Sequence, residues 1–197
     1  MNRDSKTLSV YANRATDYAE MAVDPEQNTV LLKFLDAMPK NARVLDYGCG
    51  PGHWAAAMQR AGLRVDAFDA SPEMVALASK HEGVNVQLKT FDDMRETKTY
   101  HGIWASFSLL HAPKSSFPTY LAAIHQALVP GGLLILGMKL GQGEQRDKIG
   151  RFYAYYSQAE LTDHLTDAGF TTDEFVLGES AGLSGETAPY IAMNAIA

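Results

Sequence analysis

The stretch "VLDYGCGPGHW" at positions 44–54 puts three glycines into five positions directly after an apolar run, with an acidic residue ahead of them and an aromatic behind. An apolar run that breaks into glycines reads as a strand entering a turn that residues bearing a Cβ make poorly. In an α/β sheet that turn lies where ligands dock, outside the carboxyl ends of the strands. Glycines also simply make turns, so spacing and flanks decide the reading. A dinucleotide fingerprint is G-x-G-x-x-G, with the pyrophosphate on a helix N-terminus. Gly48, Gly50 and Gly52 are spaced G-x-G-x-G, and Asp46 would repel a diphosphate but attract an ammonium or sulfonium group. The loop is expected to bring backbone N–H groups close to such a cation-bearing ligand.

Short apolar runs ending in turn residues alternate with helix-length amphipathic segments, which predicts repeated βαβ units. Strands are expected at 43–48, 64–70, 84–90, 100–107, 132–139, 171–179 and 190–196, with 132–139 apolar on both faces and so central in a parallel sheet. Helices are expected over 26–38, 71–81, 114–128 and 157–169. Ser71 caps the second of these with Pro72 at the first helical position, and Ser157 with Glu160 forms a capping box that opens the last. The stretch "LGQGEQRDKIGRFYAYY" (140–156) remains unassigned, and a piece of that length is usually functional or mobile.

A chain of 197 residues predicts one domain, 1–197. The formal net charge of -6, without a Lys/Arg cluster, speaks against nucleic acid as a partner. No stretch reaches the roughly 18 apolar residues of a membrane span, and "MNRDSKTLSV" lacks a signal-peptide core, so no membrane and a cytoplasmic location are expected. The single cysteine, Cys49, excludes an intramolecular disulfide and a cysteine zinc cluster, and no metal is expected. It reads as a small residue packed behind the turn, with no adjoining basic residue to activate it.

Asp69 ends the second strand 17 residues beyond Gly52, where an acid can accept both hydroxyls of a ribose. A nucleoside at one end and a positive group at the other describe S-adenosylmethionine. The chain resembles a class I S-adenosylmethionine-dependent methyltransferase. "VLDYGCGPG" is similar to that family's first motif and "VDAFDASPEMV" (65–75) to its ribose-binding strand end. "IWASFSLLH" (103–111) is similar to its fourth-strand motif, "ALVPGGLLIL" (127–136) to the turn before strand five, and "YYSQAELTDHLTDAGF" (155–170) to the helix before strand six.

The resemblance implies a Rossmann-like, doubly wound α/β sheet of seven strands, order 3-2-1-4-5-7-6 with strand 7 antiparallel. It implies methyl transfer from S-adenosylmethionine to a small-molecule acceptor. Gly48, Gly50 and Gly52 would lie against the methionine portion, Asp46 would steer its ammonium, and Asp69 with Ala70 would hold the ribose. Phe91 is the candidate for the adenine ring contact and Asp92 or Asp93 for the acidic one, because Thr90 stands where the family often has an acid. Ser106 would face the methionine chain. Residues 1–40 would form a helical lid, with Tyr18 over the cofactor and Tyr11 towards the acceptor, or the two tyrosines would merely anchor an N-terminal helix. His111 is the candidate general base, titrating near neutral pH, or a histidine at a strand-to-helix junction that simply bonds backbone. In the 140–156 segment, read as an acceptor loop, Arg151 would pair with an anionic acceptor between Tyr153 and Tyr155, or instead with Asp147 or Glu144. Trp54 and Trp104 read as core. A non-catalytic S-adenosylmethionine-binding module and a nicotinamide oxidoreductase are the rival functions.

Overall fold

The computed structural model describes residues 4–21 and 24–197. Positions 1–3 and 22–23, inside the 1–40 segment, lie outside the described residues. The strands are β1 (Arg43–Tyr47), β2 (Arg64–Asp69), β3 (Asn85–Leu88), β4 (Tyr100–Ser106), β5 (Leu128–Lys139), β6 (Glu144–Arg146), β7 (Phe152–Ala154), β8 (Thr171–Ala181) and β9 (Thr187–Ile196). Seven of them form one sheet, β3-β2-β1-β4-β5-β9-β8, in which β9 runs antiparallel to both neighbours. This is the expected 3-2-1-4-5-7-6 order. The helices are α1 (Ser5–Asn13), α2 (Ala15–Ala19), α3 (Thr29–Ala37), α4 (His53–Arg60), α5 (Pro72–Ala78), α6 (Phe117–Ala127) and α7 (Gln158–Asp167).

Strand parity assigns the two faces of the sheet, since successive side chains point opposite ways. Val44, Val65, Ala67, Trp104 and Ile135 pack with Leu31 and Phe34 of α3 and Met58 of α4. Leu45, Tyr47, Ile103 and Leu134 pack with Leu121 and Ile124 of α6 and Leu161 of α7. Helix α7 opens on the expected capping box, Ser157 accepting Glu160 N–H while Glu160 accepts Ser157 N–H. The hydroxyl of Ser71 accepts Met74 N–H at the start of α5.

Strand β5 begins at Leu128, four residues before its expected start, because Leu128 already pairs with Tyr100 of β4. The larger departure is in the 140–156 segment, which is not a loose loop. Its strands β6 and β7 pair antiparallel as a hairpin, and Leu140 bridges to Tyr156 at its base. The hairpin fastens α1. Arg146 donates to both carboxylate oxygens of Asp4, the α1 cap, at 2.7 and 2.9 Å, and the pairing holds the Asp4 carboxyl well below its ordinary range. Thr7 Oγ1 accepts Phe152 N–H at 2.8 Å, and Arg151 Nη1 donates to the Tyr11 hydroxyl at 2.9 Å. The lid and acceptor loop of the sequence reading are therefore one structure. At the end of α2, His53 donates through Nε2 to Ala19 O at 2.9 Å. Among the described residues no helix is long and apolar enough to cross a membrane, and no side-chain group suits a metal ion.

Candidate active site

A cavity opens at the carboxyl ends of β1, β2 and β4, roofed by α1 and α2. Tyr11, Tyr18, Gly48, Gly50, Asp69, Ala70, Phe91, Asp92, Ser106 and His111 all line it. Asp46, Gly52, Arg151, Tyr153 and Tyr155 do not.

The glycine loop makes space rather than offering donors. Gly48 and Cys49 N–H both donate to Phe68 O, Gly50 N–H to Asp69 Oδ2, and Gly52 N–H to Cys49 O, at 2.9–3.1 Å. The expectation of free loop N–H groups is corrected: the backbone needs those bonds for its own turn. Gly48 has φ +78, and a Cβ on it would stand 2.5 Å from Ser108 Cβ, so a side chain here would be strained and would fill the cradle. Gly52 serves packing instead, since its Cβ would meet Ala78 of α5 at 2.8 Å. Cys49 is buried at the turn, where it also lines the cavity rather than only packing behind it, and burial raises its thiol pKa.

Asp46 follows the parity of Val44 and points towards α4, away from the cavity. Its carboxylate accepts Ala55 N–H, its Oδ2 has no partner, and burial pushes its pKa up to about 8. The steering role expected of it therefore has no direct line to the cavity.

Asp69 lies at the cavity wall. Oδ2 accepts Gly50 N–H at 2.9 Å, Oδ1 accepts Ser71 N–H at 2.8 Å, and Ala70 N–H also bonds the carboxylate, which fixes it and leaves acceptor capacity for a ligand hydroxyl. Burial raises its pKa. After β3, Thr90 closes a small capping box with Asp93, which holds the exposed Asp93 carboxylate against Thr90 and leaves Phe91 and Asp92 at the cavity. Phe91 stacks on Tyr47 at 5.0 Å with an interplanar angle of 7°. Tyr120 of α6, which the sequence reading missed, donates its hydroxyl to Asp92 Oδ1 at 2.7 Å and lines the cavity beside it.

At the other end stands His111, on the turn after β4. Its Nδ1 is 2.6 Å from Phe152 O, a carbonyl that can only accept, so Nδ1 carries the proton. Nε2 then accepts the Tyr11 hydroxyl at 2.8 Å. Burial, offset by the Phe152 bond, lowers the His111 pKa to about 4. A base titrating near neutral pH is thus corrected to a neutral imidazole with an engaged lone pair. Phe107 and Trp54 also line the cavity. Phe107 holds φ +56, a conformation rare for an aromatic residue and one that concentrates at functional sites. Trp54 is therefore not simply core, whereas Trp104 is buried as expected.

The proposed acceptor residues of the 140–156 segment sit behind this wall. Arg151 is 2% exposed and pairs with Asp147 at 2.8 Å, the alternative weighed for it, though buried rather than at the surface. Its guanidinium lies 5.1 Å from the buried Tyr153 ring and 5.2 Å from that of Tyr11. Tyr155 faces a separate groove.

The cavity fits S-adenosylmethionine. A side-chain-free cradle at Gly48, a fixed carboxylate with spare acceptor capacity at Asp69, and an aromatic beside an acid at Phe91–Asp92 follow one another along its wall, and the buried Ser108 Oγ has no partner. A family model described as "Methyltransferase domain" matches residues 19–174. A ubiquinone biosynthesis O-methyltransferase of Xanthomonas axonopodis pv. citri is 33% identical over 118 residues, 55% of this chain and 48% of that protein. An uncharacterized methyltransferase of Staphylococcus carnosus is 26% identical over 136 residues, 68% of this chain and 66% of that protein. The chain spans about half the length of the ubiquinone-pathway relatives it matches. Among solved structures, Burkholderia thailandensis 1,6-didemethyltoxoflavin-N1-methyltransferase, with 1,6-didemethyltoxoflavin and S-adenosylhomocysteine bound, aligns with TM-score 0.78 and 23% identity, over 98% of this chain and 87% of that one. The complex of DhpI with SAH aligns with TM-score 0.67 and 25% identity, over 95% and 94%. With strand order, glycine motif and family model in agreement, the chain belongs to the class I S-adenosylmethionine-dependent methyltransferases.

Proposed function

We propose that this chain methylates a small, largely apolar molecule held beneath α1 and α2, next to bound S-adenosylmethionine. The observation that carries this reading is a single cavity that continues from the glycine loop and Asp69 to an aromatic end at Tyr11, Phe107 and His111. Asp69 takes the ribose hydroxyls, the bare backbone at Gly48 and Gly50 admits the methionine portion, and Phe91 with Asp92 takes the adenine. Ser106 and Ser108 face the chain between them. Tyr18, edge-on to Tyr11 at 5.3 Å, belongs to the roof that keeps water out, the role assigned here to the helical part of residues 1–40.

Bound S-adenosylmethionine supplies a methyl group already activated by the sulfonium. What remains for the protein is alignment and dryness, and orientation alone accounts for about 7–11 kcal/mol of barrier lowering. His111 stays neutral at pH 7, and its Nε2 lone pair becomes available to a proton of the acceptor when the Tyr11 hydroxyl gives way. As a base of pKa about 4 it suits an acceptor atom that carries its own lone pair better than one needing a strong base. The names of two relatives give O-methylation in ubiquinone biosynthesis and N1-methylation of 1,6-didemethyltoxoflavin for those proteins, which supports a small-molecule acceptor here. An open aromatic end supports an enzyme over a non-catalytic binding module, whose acceptor space would be plugged.

Calorimetric titration with S-adenosylmethionine and with NAD, followed by incubation with labelled S-adenosylmethionine and a metabolite extract, tests the proposal. Micromolar-range binding of the first and label on a small molecule are expected. Tight NAD binding without S-adenosylmethionine binding refutes the cofactor assignment, and binding without label transfer favours the non-catalytic module.

A further inference from the structure

Behind the cavity, Lys139 and Arg151 carry more positive charge than the fold neutralises. Asp147 and, towards Lys139, Glu186 are the carboxylates near them, and three N–H groups already engage Asp147. Oδ1 accepts the Ile149 and Arg151 N–H groups at 3.2 and 2.9 Å, and Oδ2 accepts Arg151 Nε at 2.9 Å. Arg151 Nη2 makes its 2.8 Å ion pair with the same Oδ2, and this buried nitrogen has no other acceptor among the described residues. Lys139, at the carboxyl end of β5, is 9% exposed. Its ammonium lies 4.8 Å from the Tyr153 ring centroid and makes no ion pair among the described residues. A ring face compensates little of the cost of burying an ammonium. Burial and the Arg151 charge accordingly lower the Lys139 pKa.

Lys139 Nζ and Arg151 Nη2 border one space. A Cβ built on Gly182 would stand 3.7 Å from Lys139 Nζ and 3.8 Å from Arg151 Nη2, ordinary contact distances, so the glycine leaves the gap open. Lys139 looks into a groove between the β6–β7 hairpin and the β8–β9 turn, lined also by Gln142, Gln145, Ser184, Thr187 and Asp147, whose charge Arg151 already neutralises. Glu186 lines it too, with its half-exposed carboxylate 3.8 Å from Lys148. The groove shares no lining residue with the cofactor cavity. We propose that it is a binding site for a small molecule bearing a carboxylate or phosphate group, which Lys139 Nζ holds with Arg151 Nη2 behind it. The guanidinium that would meet this anion also donates to Tyr11, so an occupant there stiffens the roof of the cavity.

The test is thermal unfolding of the full chain with saturating S-adenosylhomocysteine, which keeps added anions out of the cofactor cavity. Inorganic phosphate and succinate are compared with sodium chloride of equal ionic strength. At tens of millimolar, at least one anion should raise Tm by on the order of 5 °C. A response to phosphate alone or to succinate alone identifies the group. Lys139→Met, which removes the unpaired charge, should unfold higher in chloride and lose the anion response. If that variant does not fold, Gly182→Asp carries the test: its carboxylate enters the gap, so it should be stabilised in chloride and indifferent to added anion. No anion response in the wild type, or an undiminished response in the folded variant used, overturns the proposal.

Discussion

Asp46→Asn should stabilise this protein by an amount that grows with pH. Asp46 is buried with one oxygen unpartnered, and its pKa stands near 8 against an ordinary value of 3.8. Above pH 4 the unfolded chain has released this proton while the folded chain still holds it, so folding binds a proton. Stability then falls by about 1.4 kcal/mol per pH unit until ionisation near pH 8. His111 works in the opposite direction. Its pKa is lowered from 6.5 to about 4, so it contributes stability that is fully present above 6.5 and lost as pH falls towards 4. Below pH 6.5 the two slopes oppose each other in the wild type, and only comparison with the variant isolates Asp46. From pH 6.5 to 8 the advantage of Asp46→Asn should widen by roughly 2 kcal/mol, a Tm difference growing by about 4–8 °C, and stay level beyond. Asparagine keeps an acceptor for Ala55 N–H, and any fixed offset from its buried amide does not depend on pH. Scanning calorimetry of both proteins from pH 5 to 9 measures the difference. A Tm gap that does not change with pH would refute the assignment of a buried, proton-holding carboxyl at this position.

Two further outcomes concern the cofactor. Asp69→Ala should weaken S-adenosylmethionine binding about tenfold to a hundredfold, the ~1.5–3 kcal/mol of hydrogen bonds to a charged group, with circular dichroism confirming a folded chain; unchanged affinity would move the ribose elsewhere. Gly50→Val places a side chain at φ +53, 3.3 Å from Tyr18, and should abolish binding in a folded protein; retained binding would mean that the loop does not face the cofactor.

Much of the sheet was legible because βαβ alternation is a local pattern. The glycine loop, the acid ending β2 and the capping boxes of α5 and α7 depend on neighbours in sequence. The direction of Asp46 was not legible, since every residue of β1 after Arg43 is buried and a strand covered on both faces does not announce which parity meets the cavity. The loop N–H groups were misread for a related reason: their acceptors, Phe68 O and Asp69, belong to the next strand. Three-residue strands such as the exposed "EQR" of β6 carry no periodicity to detect. Arg151 was weighed correctly as a partner for Asp147, but its depth follows from α1 closing over it, which no local rule contains. Tyr120 left no signal beyond an aromatic on an otherwise ordinary amphipathic helix.

The rungs that fasten α1 to the hairpin join positions 140, 142 and 145 residues apart. During synthesis the roof emerges first, yet its docking partner is made only after β5 is complete. Contacts of such sequence separation form late, once local units have assembled. The sheet can thus reach its final pairing with α1 still undocked, and attachment of the roof becomes a separate, low-cost event at the end of folding. The same step run backwards is the least expensive way to open the molecule. Amide exchange should register it as α1 protons exchanging well before those of β4 and β5; matched rates would make roof and sheet a single cooperative unit.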